Sequence, residues 1–332
     1  MIEQSRQAQP TIDDVAELAG VSRAVASRAL SHEKRPVSAE KRDRVLRAAA
    51  QLGYRVNLLA QSLTTKTVNL IAVVVNHIHD LSDLDLFDLL LTETQAIGKQ
   101  MILIRVESVD KVEEFLRQGV AYHVDAALVF SDFADAETVR RMFRSDQVLM
   151  LNGRHDRLSP AIIPDEGAGI EQAIADAARN HVKTAALVTG RASSLVEKAR
   201  IASYLNGFAK HGIELVQTVQ GDYSYQSGHQ AAPAVVGFEC PDAVFCTSDA
   251  MAMGILDVCR EDFPDNRPTR FRLYGFDNVS LTDFDAYPIS SIGYDKSAYV
   301  REMVRFLSEP AAFVPGQPPV IIPARYVRRK TS

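Results

Sequence analysis

Short apolar runs alternate with helical stretches along most of the chain, and this alternation restricts the possible folds more than any other feature. The first run, VNLIAVVV, begins at Val68 and is rich in β-branched residues, which is typical of a strand buried on both faces of a parallel sheet. The runs QMILIRV, DAALVF and QVLMLN follow, and the pattern restarts after Pro164 with TAALVTG, ELVQTV, DAVFCTS and FRLYGFD. Helices are expected between them, near 84–98, 110–119, 134–144, 166–181, 194–211, 226–236 and 249–261. The sequence therefore predicts an α/β fold with doubly wound parallel sheets.

The two series of runs predict a body of two lobes over residues 67–332. We expect the first lobe to contain about 67–160 together with 293–327, and the second lobe to contain about 161–292. The segment SSIGYD and the C-terminal run PVIIPARYV are predicted to return to the first lobe. Ligands of such sheets bind beyond the carboxyl ends of the strands, so two facing lobes predict one shared cleft.

Residues 1–56 have a different pattern, which predicts a small helical head. Thr11 and Asp14 have the spacing of a capping box, and apolar residues of one helical face follow as far as Gly20, where a helix is expected to end. Ser22 can cap a second helix, and a third is expected to begin at Ser38. Two short helices joined by a turn that contains glycine form a helix-turn-helix arrangement.

The head is basic, whereas the whole chain is acidic. Residues 1–66 carry 11 Lys and Arg against 7 Asp and Glu, although the chain has a formal net charge of −5. A basic module on an acidic body indicates that only the module meets a polyanion. Arg23 begins the second helix, where an arginine can contact a guanine edge in the major groove. The alternative is a helical hairpin with no role in DNA binding.

The segments VSRAVASRAL and VSAEKRDRVLRAAAQLGYRVNLLAQSL resemble the DNA-binding head of the LacI (lac repressor)/GalR family. The match runs from 11 to 63, apart from the loop length near 32–35. The resemblance implies a homodimer that binds a near-palindromic operator in double-stranded DNA. The candidate DNA-binding residues of the head are Thr11, Ser22, Arg23, Ala24, Ser27, Arg28 and Arg42, of which Arg42 is expected to face phosphates.

Residues 57–66 match the family's hinge. The resemblance implies that this segment becomes a short helix on operator DNA, with Asn57 as its cap and Leu63 as a wedge in the minor groove. Ala60 is small enough for close approach to DNA and to the second hinge helix. The sequence departs from the family at Val56, where a proline is usual, and this weakens the expected start of the hinge helix. A linker whose Leu63 packs on the body is the alternative.

The body resembles the periplasmic-binding-protein-like body of the same family, and AVFCTSDAMAMGIL and YGFDN carry the strongest likeness. No GxGxxG follows a strand, and no phosphate-binding loop or GxSxG is present, so we expect neither a cofactor nor an enzyme. His77, His79 and Asp80 alternate in a polar loop, but they lack a helical HxxxH or a cysteine nearby, and we expect no metal site. The three cysteines have no CxxC spacing and the N-terminus has no apolar stretch, which favours a reduced cytoplasm and no membrane contact. The resemblance implies a bacterial protein associated with the nucleoid.

The family's pocket positions carry over to six residues of this chain. The candidate effector-binding residues are Asn76, Asn152, Tyr204, Tyr223, Ser248 and Asp277. Asp277 matches a carboxylate that binds ligand hydroxyls, and Tyr223 matches an aromatic ring that can stack on a sugar. Residues of these types at strand ends also cap helices and form turns, which is the alternative for each polar position. Asp249 is expected to cap its own helix.

Two departures from the family bear on the ligand. The loop NHIHDLSDLDLFD replaces an Asn-Pro-Phe-Phe-like run, so the apolar wall of the family pocket is expected to be missing. Tyr204 stands where the family has an arginine that grips a ligand oxygen or carboxylate. Arg200, one helical turn earlier, is an alternative ligand contact, although an arginine there is by default a solvated surface residue.

We therefore expect a sequence-specific transcriptional regulator of the repressor type, in which an effector in the cleft alters DNA affinity. The expected effector is a sugar or a sugar-like molecule such as a sugar acid. Two alternatives remain open: a DNA-binding regulator without an effector, and a ligand-sensing body with a vestigial head. Tight binding of a ligand to the body would eliminate the first alternative.

Overall fold

The fold is described from a computed structural model, which describes residues 10–30, 36–55, 67–76, 78, 80–106, 108–118, 123–131, 133–151, 156, 158–237 and 239–332. The chain divides into two compact units, Met1–Val68 and Asn69–Ser332. The second unit contains both lobes of the body.

The first unit contains three helices among its described residues: α1 (Ile12–Leu18), α2 (Arg23–Leu30) and α3 (Ala39–Leu52). Thr11 begins α1 with a capping box, in which its hydroxyl accepts from the Asp14 amide and its own amide donates to the Asp14 carboxylate. Gly53 ends α3 in the left-handed conformation, at φ 65°. A core of small apolar side chains joins the three helices, and Val15, Ala26 and Val45 have no exposed surface there.

The first lobe is built on a parallel sheet of β1 (Leu70–Val75), β2 (Gln100–Arg105), β3 (Ala126–Val129) and β4 (Val148–Met150). Among the described residues the strand order is β2-β1-β3-β4. The helices that follow are α4 (Leu81–Ala96), α5 (Val109–Gln118) and α6 (Ala136–Phe143). Alternate residues of β1 enter two different cores, one with α4 and the other with α6, so the sheet is covered on both faces.

The second sheet contains the strands β5 (Ile162–Asp165), β6 (Thr184–Thr189), β7 (Glu214–Gln220), β8 (Ala243–Cys246), β9 (Arg272–Phe276), β10 (Ser290–Tyr294) and β11 (Val320–Val327). Their order among the described residues is β5-β11-β10-β9-β8-β6-β7. The helices of this half are α7 (Gly167–Arg179), α8 (Leu195–His211), α9 (Tyr225–Val235) and α10 (Asp249–Val258). Cores on opposite faces pack against α7 with α8 and against α9 with α10. The predicted α/β fold with doubly wound parallel sheets is confirmed.

The return of the chain to the first lobe is later than predicted. The segment SSIGYD forms β10, which pairs with β9 in the second sheet, so the prediction that it returns to the first lobe is wrong. The return begins with α11 (Lys296–Ser308), whose Tyr299 and Met303 pack into the core beneath β1. The strand β11 serves both lobes: 324–327 pair with β10, and 320–323 pair with β5, where Ile322 and Ile162 pack in the core of the first lobe.

Candidate DNA-binding face and effector cleft

The N-terminal part of α2 presents an exposed polar face. Arg23, Ala24 and Ser27 are exposed, whereas Ala26 and Ala29 on the opposite side are buried in the head. The guanidinium of Arg23 is 72% exposed and its Nε lies 3.5 Å from Asp13 Oδ1. A surface pair of this kind contributes little to stability, so Arg23 can exchange it for another partner.

The other candidates of the head have contacts within the head. Thr11 and Ser22 cap α1 and α2, since Ser22 Oγ accepts from the Val25 amide at 3.4 Å. Arg28 Nε donates to the Ala24 carbonyl at 3.1 Å. Arg42 Nη1 donates to the Ala29 carbonyl at 3.1 Å, near the end of α2, where helix carbonyls lack helical partners. Arg42 therefore links α3 to α2, a structural role that the sequence did not indicate. Asn57, Ala60 and Leu63 lie outside the described residues.

A cleft of about 720 Å³ lies between the two lobes of the body. Its walls come from the carboxyl ends of strands, as predicted for facing sheets: Asn76 follows β1, Arg105 ends β2, and Asp277 follows β9. Glu166 follows β5, and Tyr294 ends β10. The cleft thus contains carboxylates, guanidinium groups and aromatic rings, an arrangement suited to a small polar ligand with an apolar face.

Three of the predicted effector-binding residues line this cleft: Asn76, Tyr223 and Asp277. Asn76 Oδ1 accepts from Ser131 Oγ at 2.6 Å. The Tyr223 hydroxyl donates to Glu197 Oε2 at 3.0 Å, and a Cβ at Gly190 would collide with the Tyr223 ring, so the glycine makes room for this ring. The predicted Asn152 lies outside the described residues.

Asp277 is held in an uncommon backbone conformation, at φ 96°. Burial raises the pKa of its carboxyl to about 7; Arg200 and Lys296 oppose this rise, and Asp80 adds to it. Among the described residues, no donor forms a hydrogen bond to the Asp277 carboxyl, although Lys296 Nζ donates to its backbone carbonyl at 2.8 Å. The Asp277 carboxyl is thus available to a ligand.

Tyr204 and Ser248 are not part of the cleft wall. Tyr204 has no exposed surface and packs in the core of the second lobe, with its ring centroid 5.9 Å from that of Phe208 and 5.7 Å from that of Phe245. The prediction that Tyr204 binds the effector is therefore wrong. Ser248 is buried, accepts from the Met251 amide as the cap of α10 and donates to the Tyr223 carbonyl. The cap of α10 is thus Ser248, and the prediction that Asp249 caps this helix is wrong.

Asp249 has a different role at the start of α10. It is fully buried and accepts from Ser291 Oγ at 2.6 Å and from the Val279 amide at 2.9 Å. Burial and the nearby Asp277 raise the pKa of its carboxyl to about 8. These contacts hold together the loop that carries Asp277.

Arg200 is a cleft residue, and the expectation of a solvated surface arginine is wrong. Its side chain is 9% exposed, and its guanidinium carbon lies 3.7 Å from the centroid of the Phe276 ring. Nε and Nη2 donate to the two carboxylate oxygens of Glu166 at 2.8 and 2.6 Å. Nη1 donates to the Thr247 carbonyl at 2.8 Å and lies 3.6 Å from Glu197 Oε2. These partners keep Arg200 charged and raise its pKa despite its burial.

The cleft has an apolar wall, contrary to the expectation from the replaced loop. Phe87 and Phe130 pack edge to face with ring centroids 5.5 Å apart, and Tyr299 and Tyr294 do the same at 5.1 Å. Phe130 and Tyr299 join these two pairs at 6.5 Å. The wall therefore comes from α4, from the end of β3, from the end of β10 and from α11. Phe87 on α4 belongs to the run NHIHDLSDLDLFD, so part of the wall comes from the replaced segment itself.

Sequence reasoning missed Glu166, Arg191 and the aromatic wall. Glu166 was missed because the strand β5, with the sequence IIPD, is short and contains Pro164, so its end was not recognised. Phe130 closes the run DAALVF, and the rule that ligands bind at strand ends would have found it. The ring of Phe87 lies on a helix whose orientation no local pattern specifies.

Comparisons with known proteins agree with both units. Residues 11–57 match the family model described as bacterial regulatory proteins, lacI family, and residues 175–332 match a periplasmic binding protein-like domain. Residues 11–57 thus resemble the DNA-binding heads of lacI-family regulators. The HTH-type transcriptional regulator AscG of Escherichia coli K12 is 26% identical over 306 residues, which cover 89% of this chain and 90% of AscG.

Solved structures of other proteins share this architecture. A lac repressor dimer bound to operator and the anti-inducer ONPF is similar to this protein with a TM-score of 0.80 and 22% identity, over 98% of this chain and 99% of that one. A CelR–cellobiose complex is similar with a TM-score of 0.67 and 21% identity, over 97% and 100% of the two chains. At these identities the likeness shows the fold.

Two negative observations concern the described part of the chain. None of its helices is long and apolar enough to cross a membrane. None of its groups of His, Cys, Asp and Glu has an arrangement that could hold a metal ion.

Proposed function

We propose that this LacI-family regulator represses transcription by binding a near-palindromic operator as a homodimer, and that a small effector in the cleft changes its affinity for DNA. The exposed N-terminal face of α2 carries the proposal. This face presents Arg23, Ala24 and Ser27 on a helix that the head core fixes from behind, which is the geometry of a recognition helix. The regulator acts where its operator is, in the bacterial cytoplasm, and not as an enzyme.

An exposed apolar surface on the first lobe supports the homodimer. Leu84 and Leu91 on α4 are 66% and 39% exposed, and Leu103 on β2, the edge strand of its sheet, is 50% exposed. The helix α4 packs against β2, so these leucines belong to neighbouring elements. Exposed leucines on neighbouring elements are the kind of apolar surface that a partner covers, and a two-fold dimer would bury the same residues on both subunits.

The cleft supports an effector of sugar type. A carboxyl without a protein donor at Asp277 and the ring of Tyr223 provide a hydrogen-bond acceptor and a stacking surface in one cavity. The CelR structure named above contains cellobiose, a sugar, within the same fold. We propose that the effector favours one relative arrangement of the two lobes and thereby alters the pairing of the hinge segments 57–66.

Selection of random DNA duplexes on the full-length protein at physiological salt tests the DNA-binding function. We expect one near-palindromic sequence to be recovered. Arg23→Ala should relax the preference at one base pair of each half-site, by about 1–3 kcal/mol. Arg47→Ala is the matched control, because Arg47 lies exposed on α3 and its loss should weaken all sequences about equally.

The same selection with Leu63→Ala tests the hinge, since the loss of an apolar wedge should weaken the selected palindrome more than random DNA. An unchanged base preference in Arg23→Ala would refute the role assigned to this residue. If no sequence is enriched, even after pooled sugars and sugar acids are added as co-repressors, the head is vestigial and the proposal fails.

A further inference from the structure

Arg200 and Glu166 form a buried, bidentate ion pair inside the effector cleft. The pair connects α8 to the residue before α7, and both side chains line the cavity. Two parallel N–H to oxygen bonds of 2.8 and 2.6 Å have the geometry with which an arginine binds the carboxylate of a ligand. Here the carboxylate belongs to the protein.

The third nitrogen of the Arg200 guanidinium also has partners in the protein. Nη1 donates to the Thr247 carbonyl at 2.8 Å and lies 3.6 Å from Oε2 of Glu197, which is itself completely buried. The Phe276 ring covers one face of the guanidinium. A ligand anion that approached Arg200 would therefore have to displace the Glu166 carboxylate and would meet its negative charge.

We propose that Glu166 occupies an anion-binding site at Arg200 and so keeps the anionic group of an effector away from this position. This inference rests on the proposed effector function of the cleft and narrows its ligand class. Near Arg200, the groups that remain for a ligand are acceptors and hydroxyls; Arg105 and Arg191 line the cavity elsewhere. Among the described residues, neither the Asp277 carboxyl nor the Tyr294 hydroxyl has a hydrogen-bond partner, although both face the cavity. An uncharged polyhydroxylated molecule, which donates hydrogen bonds and has an apolar face for the aromatic wall, fits these groups, and a carboxylate beside Arg200 does not.

Acetate binding by the full-length protein tests the inference, because acetate carries the one group that Glu166 is proposed to replace. Glu166→Ala removes the internal carboxylate and leaves Arg200 without it. We expect the melting temperature of this variant to be below that of the wild type and to rise when sodium acetate is added. Sodium chloride at equal ionic strength should not have this effect. The dissociation constant for acetate, measured by calorimetry, should be lower than that of the wild type by at least about tenfold.

The matched control is the double variant Glu166→Ala with Arg200→Met, in which both charges are absent. It should fold without acetate and should not respond to it. If Glu166→Ala alone is insoluble, Glu166→Gln replaces it, since its neutral amide keeps the volume and still leaves the arginine charge uncompensated. The midpoint of its urea unfolding should then rise with acetate.

Three results would overturn the inference: an equal response of the wild type to acetate, no response in either single variant, or the same response in the double variant. The acetate experiments measure anion binding at the ion pair and do not depend on DNA binding. Failure to select an operator would therefore reject the proposed function while the acetate result still stood, and inert acetate would reject the inference alone.

Discussion

Asp85→Ala should weaken a direct polar link between the two lobes of the body. Asp85 lies on α4 of the first lobe, and Ser280 begins the short 3-10 helix Ser280–Asp283 of the second. The two oxygens of the Asp85 carboxylate accept from the Ser280 amide and from Ser280 Oγ, each at 2.8 Å. Lys296 Nζ lies 3.8 Å from the same carboxylate. Loss of the carboxylate removes all of these contacts.

The expected loss is about 1–2 kcal/mol of the free energy of unfolding of the body. A hydrogen bond to a charged group contributes about 1.5–3 kcal/mol when it is buried, but exposure to water reduces this value. The Asp85 side chain is 22% exposed and Ser280 is exposed, so the lower part of the range applies. Lys296 keeps its hydrogen bond to the Asp277 carbonyl, and the substitution therefore strands no buried charge.

Urea unfolding followed by far-ultraviolet circular dichroism measures this loss, since the chain has no tryptophan for fluorescence. Asp88→Ala is the matched control. It removes the same charge from the same helix, three residues after Asp85, and Asp88 is exposed. Ser280→Ala and the double variant complete a cycle, in which the coupling between Asp85 and Ser280 should be about 0.5–1 kcal/mol. If Asp85→Ala and Asp88→Ala unfold at the same urea concentration, the link does not stabilise the body and the reasoning is refuted.

Three further predictions concern the head, a helix contact and pH. Thr11→Ala removes the capping box of α1 and should cost the head about 1 kcal/mol in thermal unfolding, with exposed Ser27→Ala nearly neutral as its control. Gly228→Ala should cost about 1–3 kcal/mol in urea unfolding, because the new Cβ would collide with the backbone of Met251 where α9 packs on α10. Burial raises the pKa of Asp277 to about 7, so its contribution to stability is complete below the unfolded pKa of about 3.9 and is lost as the pH rises through about 7. Asp277→Asn should therefore reduce the fall in the urea midpoint between about pH 5 and pH 8, and an unchanged fall would contradict the raised pKa.

The alternation of apolar runs and helical stretches was sufficient to predict the sheets, because a strand buried on both faces must be apolar throughout. Helix positions followed within a few residues; for example, a helix expected near 84–98 is found at Leu81–Ala96. The partner of β10 was not predictable in the same way. The run SSIGYD specifies a strand, but its pairing with β9 depends on contacts between distant segments that no local pattern contains.

The cleft shows the same division. Asn76 and Asp277 were predicted from the family resemblance, and both line the cleft because strand ends meet at one edge of a sheet. Tyr204 was wrong for a geometric reason: it and Arg200 are four residues apart and share one side of α8, and the periodicity of a helix does not decide which of them reaches the cleft. The packing of α8 in the folded lobe decides which residue reaches the cleft. It places Arg200 beside Glu166 and Tyr204 in the core.

The segment 277–280 connects the cleft to the link between the lobes. Asp277 faces the ligand cavity, and three residues later the Ser280 amide donates to Asp85 of the first lobe. Between them, the Asn278 amide donates to Ser291 Oγ and the Val279 amide donates to Asp249, so the segment is held at each residue and cannot shift freely at one end alone. A ligand on Asp277 that binds one lobe arrangement more tightly than the other will therefore favour or oppose the Asp85–Ser280 contact. By thermodynamic linkage, loss of that contact in Asp85→Ala weakens the binding of an effector that favours this arrangement of the lobes, and it strengthens the binding of one that opposes it. The sign of the change in effector affinity thus identifies which lobe arrangement the effector stabilises.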